Sequence, residues 1–119
     1  MKNITEDYVS FNTSKLLKEK GFDEPTYYDY DKEGRRWFEE VLVCHNSEGG
    51  IACPTLQMAM KWLREVHNIA IETEWEHLWY AYIKPMTSKP SEEDCYQCGS
   101  PKYEEACETA IRYSLENLI

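Results

Sequence analysis

Between Pro54 and Lys84 the apolar period of the chain changes once, from that of a helix to that of a strand, and this constrains the fold more than any other feature of the sequence. Leu56, Ala59, Met60, Leu63 and Val66 fall at i, i+3, i+4, i+7 and i+10, which is one stripe of a helix. Gln57, Lys61, Arg64 and Glu65 occupy the other face. Pro54 suits the first turn, whose N–H groups have no partner inside the helix, and Thr55 can cap it. Asn68 tolerates the left-handed conformation that ends a helix. From Ile69 the period is two, because Ile69, Ile71, Thr73 and Trp75 alternate with Ala70, Glu72 and Glu74. Trp79, Ala81 and Ile83 then alternate with Leu78, Tyr80 and Tyr82, so the second run is an antiparallel return. The turn between them, near Glu74 to His77, lacks glycine.

The flanking segments extend the pattern. Ser10 to Lys20 reads as a short helix capped by Ser10 or Asn12 and anchored by Leu16 and Leu17. Gly21 stops it, and Phe22 falls where a residue packs back onto Leu17. Asp23-Glu24-Pro25 is a linker. Tyr27 to Tyr30 and a run within Arg36 to Cys44 form a hairpin across Asp31-Lys32-Glu33-Gly34, and His45 to Ala52 is a loop. Pro85 to Pro101 is irregular, with three prolines and the acids Glu92, Glu93 and Asp94. A last helix places Tyr103, Ala106, Cys107, Ala110, Ile111, Ser114, Leu115 and Leu118 on one stripe that covers a sheet face. Ser100-Pro101 opens it, and Glu108 with Arg112 supports it at i, i+4. The expectation is a single α+β domain over residues 1–119, three helices packed on antiparallel strands in the order α-β-β-α-β-β-α. Pro54 to Leu63 also aligns with Pro101 to Ala110, but any two amphipathic helices align this way, so duplication is not the expectation.

A chain of 119 residues buries roughly two-thirds of its unfolded surface and folds without staples. Its net charge of −9 argues against nonspecific nucleic-acid binding, which needs clustered Lys and Arg. No apolar run reaches the length of a membrane span and the first residues lack a signal-peptide core, so the chain reads as cytoplasmic. Five cysteines, an odd number, are then thiols or metal ligands rather than a disulfide framework.

Few motifs carry chemistry. Cys95-Tyr96-Gln97-Cys98-Gly99 has the spacing of a zinc knuckle, but Cys44, His45 and Cys53, the other available ligands, form no second knuckle. The histidines His45, His67 and His77 are scattered, and no nucleophile elbow, phosphate loop or dinucleotide fingerprint is present. Glu39-Glu40 and Glu104-Glu105 read as solvated faces. The residues therefore point away from an enzyme and imply no cofactor. Nine tyrosines and four tryptophans exceed what such a core needs. Glu72, Glu74, Tyr80 and Tyr82 share one strand face, the mixture of aromatic and charged residues found at protein interfaces.

Pro54 to Ile69, the closing Tyr103-Glu104-Glu105-Ala106 and Leu115-Glu116-Asn117-Leu118-Ile119, and the opening Tyr8-Val9-Ser10-Phe11 and Leu16 to Phe22 resemble the small uncharacterised protein family of gut Bacteroides genomes and their phages or mobile elements. That resemblance implies an α+β domain without established catalytic residues, and Cys95 and Cys98 lie outside it. The functional expectation is a noncatalytic accessory protein that binds an unidentified protein partner. Two alternatives are an acidic DNA mimic that occupies a host DNA-binding enzyme, and a zinc-stabilised module using Cys95 and Cys98.

Overall fold

The computed structural model describes residues 4–87 and 96–119. Along them run α1 (Phe11–Glu19), β1 (Thr26–Tyr30), β2 (Arg36–Val43), β3 (Ile51–Ala52), α2 (Leu56–His67), β4 (Ile69–Glu76), β5 (Leu78–Pro85), β6 (Tyr96–Ser100) and α3 (Tyr103–Asn117). The strands form two antiparallel sheets, a first of order β2-β1-β3 and a second of order β4-β5-β6. This is the expected α+β class with two strands added. β3 arises within the expected loop, and β6 arises within the stretch expected to be irregular. Both form by pairing with a neighbour, β3 with Asp29 and Tyr30 and β6 with Trp79 to Ile83, rather than by a pattern of their own. Glu92, Glu93, Asp94 and Cys95 lie outside the described residues. The first sheet has its earliest strand at the centre and the second its middle strand, so the two halves differ in topology as well.

The helix ends follow from their caps. Ser10 Oγ accepts from the Thr13 amide at 3.2 Å to start α1. Gly21, at φ 97°, ends it, and the Phe22 N–H returns to the Leu17 carbonyl at 2.9 Å. Thr55 Oγ1 accepts from the Met58 amide at 3.0 Å, and Asn68 closes α2 in the left-handed region at φ 56°. The Lys102 cap of α3 makes no side-chain bond, but Ser100 just before it accepts from the Lys102 amide and donates to Glu105 Oε2 at 2.7 Å. One expected pairing and two expected buried positions change. Arg112 pairs with Glu116, not Glu108, because Glu108 Oε1 accepts from the Ser10 amide at 2.8 Å. Val66 and Leu118, both expected on buried stripes, are exposed, and Trp62 takes the place of Val66 in the core.

The core lies between the inner face of the second sheet and the helices. Leu56, Ala59, Leu63, Ala106, Cys107, Ala110, Ile111 and Leu115 meet Ala81 and Ile83 there, α1 adds Leu17, and the turn after it adds Phe22. Tyr96 stacks on Tyr113 at 3.7 Å, binding β6 to α3. α2 and α3 thus cover the second sheet, whereas the helix contacts of the first run chiefly from α1 to β3.

Candidate interaction surface

The four residues singled out by sequence come together. Glu72 stands directly opposite Tyr82 and Glu74 opposite Tyr80, on the face of the second sheet turned away from the helices. The two tyrosine rings stack at 6.3 Å, and Tyr80 lies over Gly99 of β6, the space a side chain there would fill. Glu72 Oε2 accepts from Lys84 Nζ at 2.7 Å. Desolvation raises the Tyr82 hydroxyl above the usual tyrosine range, and the carboxylates of Glu74 and Glu76 raise it further. The face is therefore acidic, internally bonded and held in register by eight cross-strand pairs.

The first sheet shows a different surface, and sequence reasoning did not single it out. Its hairpin closes through the expected turn. The Gly34 N–H donates to the Asp31 carbonyl, Gly34 takes φ 81°, and Asp31 N–H returns to the Arg35 carbonyl. The Asp31 carboxylate accepts from Trp37 Nε1 at 2.9 Å, from the Arg35 amide at 2.9 Å and from Arg35 Nε at 2.8 Å. These bonds, that from Trp37 first, hold its carboxyl well below the usual carboxylate range. Pairing is regular from Tyr30↔Arg36 to Tyr28↔Phe38 and resumes at Thr26↔Val43. Between those points Glu39, Glu40, Val41 and Leu42 stand opposite the single residue Tyr27.

This strand exposes what a core would bury. Trp37 is 55%, Phe38 60%, Val41 64% and Leu42 53% accessible, four large apolar side chains on one strand where Trp75 and Val66 are exposed singly. They adjoin an aromatic cluster. Phe38 lies 5.3 Å from Tyr28, and Tyr28 lies 4.7 Å from Tyr8. The Arg36 guanidinium sits 4.4 Å from the Tyr8 ring and 5.1 Å from the Tyr28 ring. Tyr8 is placed by the Tyr8↔Thr55 bridge and by Leu56 N–H donating to the Asp7 carbonyl, which tie the first residues to the start of α2. Beside the cluster runs an apolar groove of about 310 Å³, walled by Tyr8, Tyr27, Tyr28, Leu42, Pro54 and Met58. Tyr, Phe, Met and Arg around a concave apolar site are the residues in which protein interfaces are enriched.

Other groups are committed to the structure. His45 is buried, with Nε2 3.1 Å from the Thr26 carbonyl and Nδ1 3.9 Å from Asp29 Oδ2. Cys53 donates toward the Val9 carbonyl, and burial pushes its thiol up to about 11. Cys98 faces inward from β6, its thiol donating to the Ala106 and Ala81 carbonyls, and burial raises its pKa too. Among the described residues no three His, Cys, Asp or Glu side chains are grouped to hold a metal ion, and Cys95 is not among those residues. An open cleft of about 470 Å³ is lined by Glu104, Glu105 and Glu108, with Ser10 and Ser100 bonded to two of them. No family model, curated protein or solved structure matches the chain.

One signal in the sequence marks the surface in retrospect. Trp37-Phe38-Glu39-Glu40-Val41-Leu42 changes character every two residues, so no single straight strand face can bury its apolar members together.

Proposed function

We propose that this chain is a noncatalytic protein-binding module that takes its partner on the first sheet. The observation carrying the reading is the exposed apolar strand β2 beside the aromatic groove, with Leu42 in its wall and Phe38 5.3 Å from the lining ring of Tyr28. Burying such residues supplies roughly 25 cal/mol per Å² of apolar surface, and tyrosine and arginine add directional contacts. The resemblance read from the sequence, to small uncharacterised proteins of gut Bacteroides genomes and their phages or mobile elements, is compatible with a small module of this kind.

A second reading rests on the other sheet. Glu72, Glu74 and Glu76 alternate along β4 on one face, spaced about 7 Å apart, and such a row can imitate phosphates toward a DNA-binding enzyme. The row is short, and Lys84 already neutralises Glu72.

Capture from host lysate with paired variants tests both. Phe38→Asp with Leu42→Asp is expected to abolish retention of a partner that resists high salt, while Glu72→Lys with Glu74→Lys leaves it bound. The reverse pattern, with release by salt, would replace this reading by mimicry, because exposed charge attraction is screened.

A further inference from the structure

We infer that the occupant of the β2 edge is a second copy of this chain, paired antiparallel about a twofold axis through Phe38. The inference rests on the protein-binding reading of the same surface and names its partner. β2 is an outer strand of its sheet, so one side of its ladder is free among the described residues. The direction of its peptide groups follows from two bonds, Asp31 N–H to the Arg35 carbonyl and Cys53 N–H to the Tyr28 carbonyl, each 3.0 Å. Alternation along the ladder turns the peptide groups of Trp37 toward β1 and those of Arg36 and Phe38 outward; the proposed pairing carries that alternation on to Glu40, which lies in the run Glu39 to Leu42 that has no pair of its own on β1. Outward groups at Arg36, Phe38 and Glu40 are what a fourth strand would bond.

Charge then selects the register. A twofold normal to the sheet pairs each residue with one of the same parity, so a single residue must face itself. With Phe38 at that point, Arg36 of each copy stands opposite Glu40 of the other, and Phe38 meets Phe38. Centring on Glu39 or Glu40 sets like charges face to face. Centring on Trp37 leaves Arg36 opposite Phe38. Centring on Val41 carries Arg36 beyond the ladder. The chain as a whole carries −9, but along this hairpin Lys32, Arg35 and Arg36 offset all but one of the charges of Asp31, Glu33, Glu39 and Glu40, so two copies meet here with little net repulsion. The same arrangement brings both aromatic clusters onto one face of a joined six-stranded sheet, with Tyr28 and Tyr8 flanking the central phenylalanines.

The edge of β4 offers no such solution. Glu72, Glu74 and Glu76 share one side-chain face there, and in a symmetric pairing centred on any of them a glutamate meets its own copy. Proline and lysine, which commonly guard free edges, are absent from Arg36 to Val43.

Sedimentation of the full chain under reducing conditions, from micromolar to millimolar concentration, tests the inference. The expected particle has twice the 14.1 kDa chain mass. Arg36→Glu and Glu40→Arg each place like charges opposite one another twice, and each is expected to weaken the dimer roughly tenfold or more. An equimolar mixture of the two variants restores two opposite-charge pairs and is expected to re-form a dimer that neither makes alone. Arg36 also rests on Tyr8 and Tyr28, so thermal melts accompany the variants, and Phe38→Lys, which sets two ammonium groups at the axis, provides a second route. A wild-type monomer at every concentration overturns the inference, as does a dimer indifferent to Glu40→Arg and Phe38→Lys. A monomer that still captures another protein through Phe38 and Leu42 overturns the second-copy inference alone; a monomer that captures nothing overturns the protein-binding reading as well.

Discussion

The second sheet gives one face to α2 and α3, and there Ala81 and Ile83 are wholly buried; the first sheet, also three-stranded, leaves Trp37, Phe38, Val41 and Leu42 largely in solvent. Their outer strands differ just as much. β4 pairs with β5 without interruption and carries three glutamates on one side, whereas β2 leaves its ladder for four residues and carries aromatic groups with charges of both signs. The paired strand β4 shows water its acids and one tryptophan, Trp75 at 58%, rather than a run of apolar side chains. A strand that keeps apolar side chains and unpaired peptide groups outside retains binding capacity that its own fold does not use.

Substitution in matched positions should break this contrast if it is wrong. Ile83→Ala on the second sheet is expected to cost about 2–5 kcal/mol of stability, whereas Phe38→Ala in the monomer costs less than about 1 kcal/mol. Urea denaturation of both reads the difference, and equal losses would mean that Phe38 belongs to the core. A side chain at position 99 would come 2.9 Å from Tyr80 Cε1, so Gly99→Ala is expected to lose about 1–3 kcal/mol by displacing the ring. Tyr80→Ala in the same chain should recover part of that loss in a double-mutant cycle, since the clash then has no second partner.

Acid distinguishes the sheets more gently. Asp31 in the first hairpin is held below the ordinary carboxylate range by Trp37, the Arg35 amide and the Arg35 side chain. A depressed folded value means that its stabilisation is complete above the unfolded carboxylate range and is lost as pH falls through the lowered one. The urea midpoint of Asp31→Asn should therefore vary less with pH on the acid side than that of the wild type. A wild-type midpoint that matches it throughout the acid range would show that Asp31 contributes nothing through charge. The smallest effect is expected at the β4–β5 turn, where His77 holds φ 65°. His77→Gly removes the Cβ strain and should stabilise by up to about 1 kcal/mol, read as a raised melting temperature.

The elements legible in the sequence were those with a complete period. α1 with its Gly21 stop, α2 with its Asn68 cap, the β4–β5 pair and α3 all follow from stripes and caps that act within a few residues. The gathering of Glu72, Glu74, Tyr80 and Tyr82 on one face follows from the same period. What was hidden depends on distant partners. β6 exists because β5 has a free edge for Tyr96–Ser100, and nothing within Gln97-Cys98-Gly99 announces a strand. Val66 and Leu118 satisfy the helical spacing, but each sits at the end of a stripe where the opposing layer stops. The first sheet's surface was hidden for another reason, since exposure of Phe38 depends on which helices fail to cover it.

The interruption in β2 has a consequence for how the chain tolerates change in length. Phe38 and Val43, five residues apart, both pair with residues on the same face of β1, which an uninterrupted strand could not arrange. Glu39 to Leu42 therefore act as a spacer that reverses the parity of the strand. Loss or gain of one residue there would leave Phe38 and Val43 an even number apart, the spacing that a regular strand puts on one face, while loss or gain of two would keep the odd spacing that needs the interruption. Indels at this point are thus sorted by parity, and those that survive redraw the edge offered to a partner while the buried half of the molecule keeps its pairing.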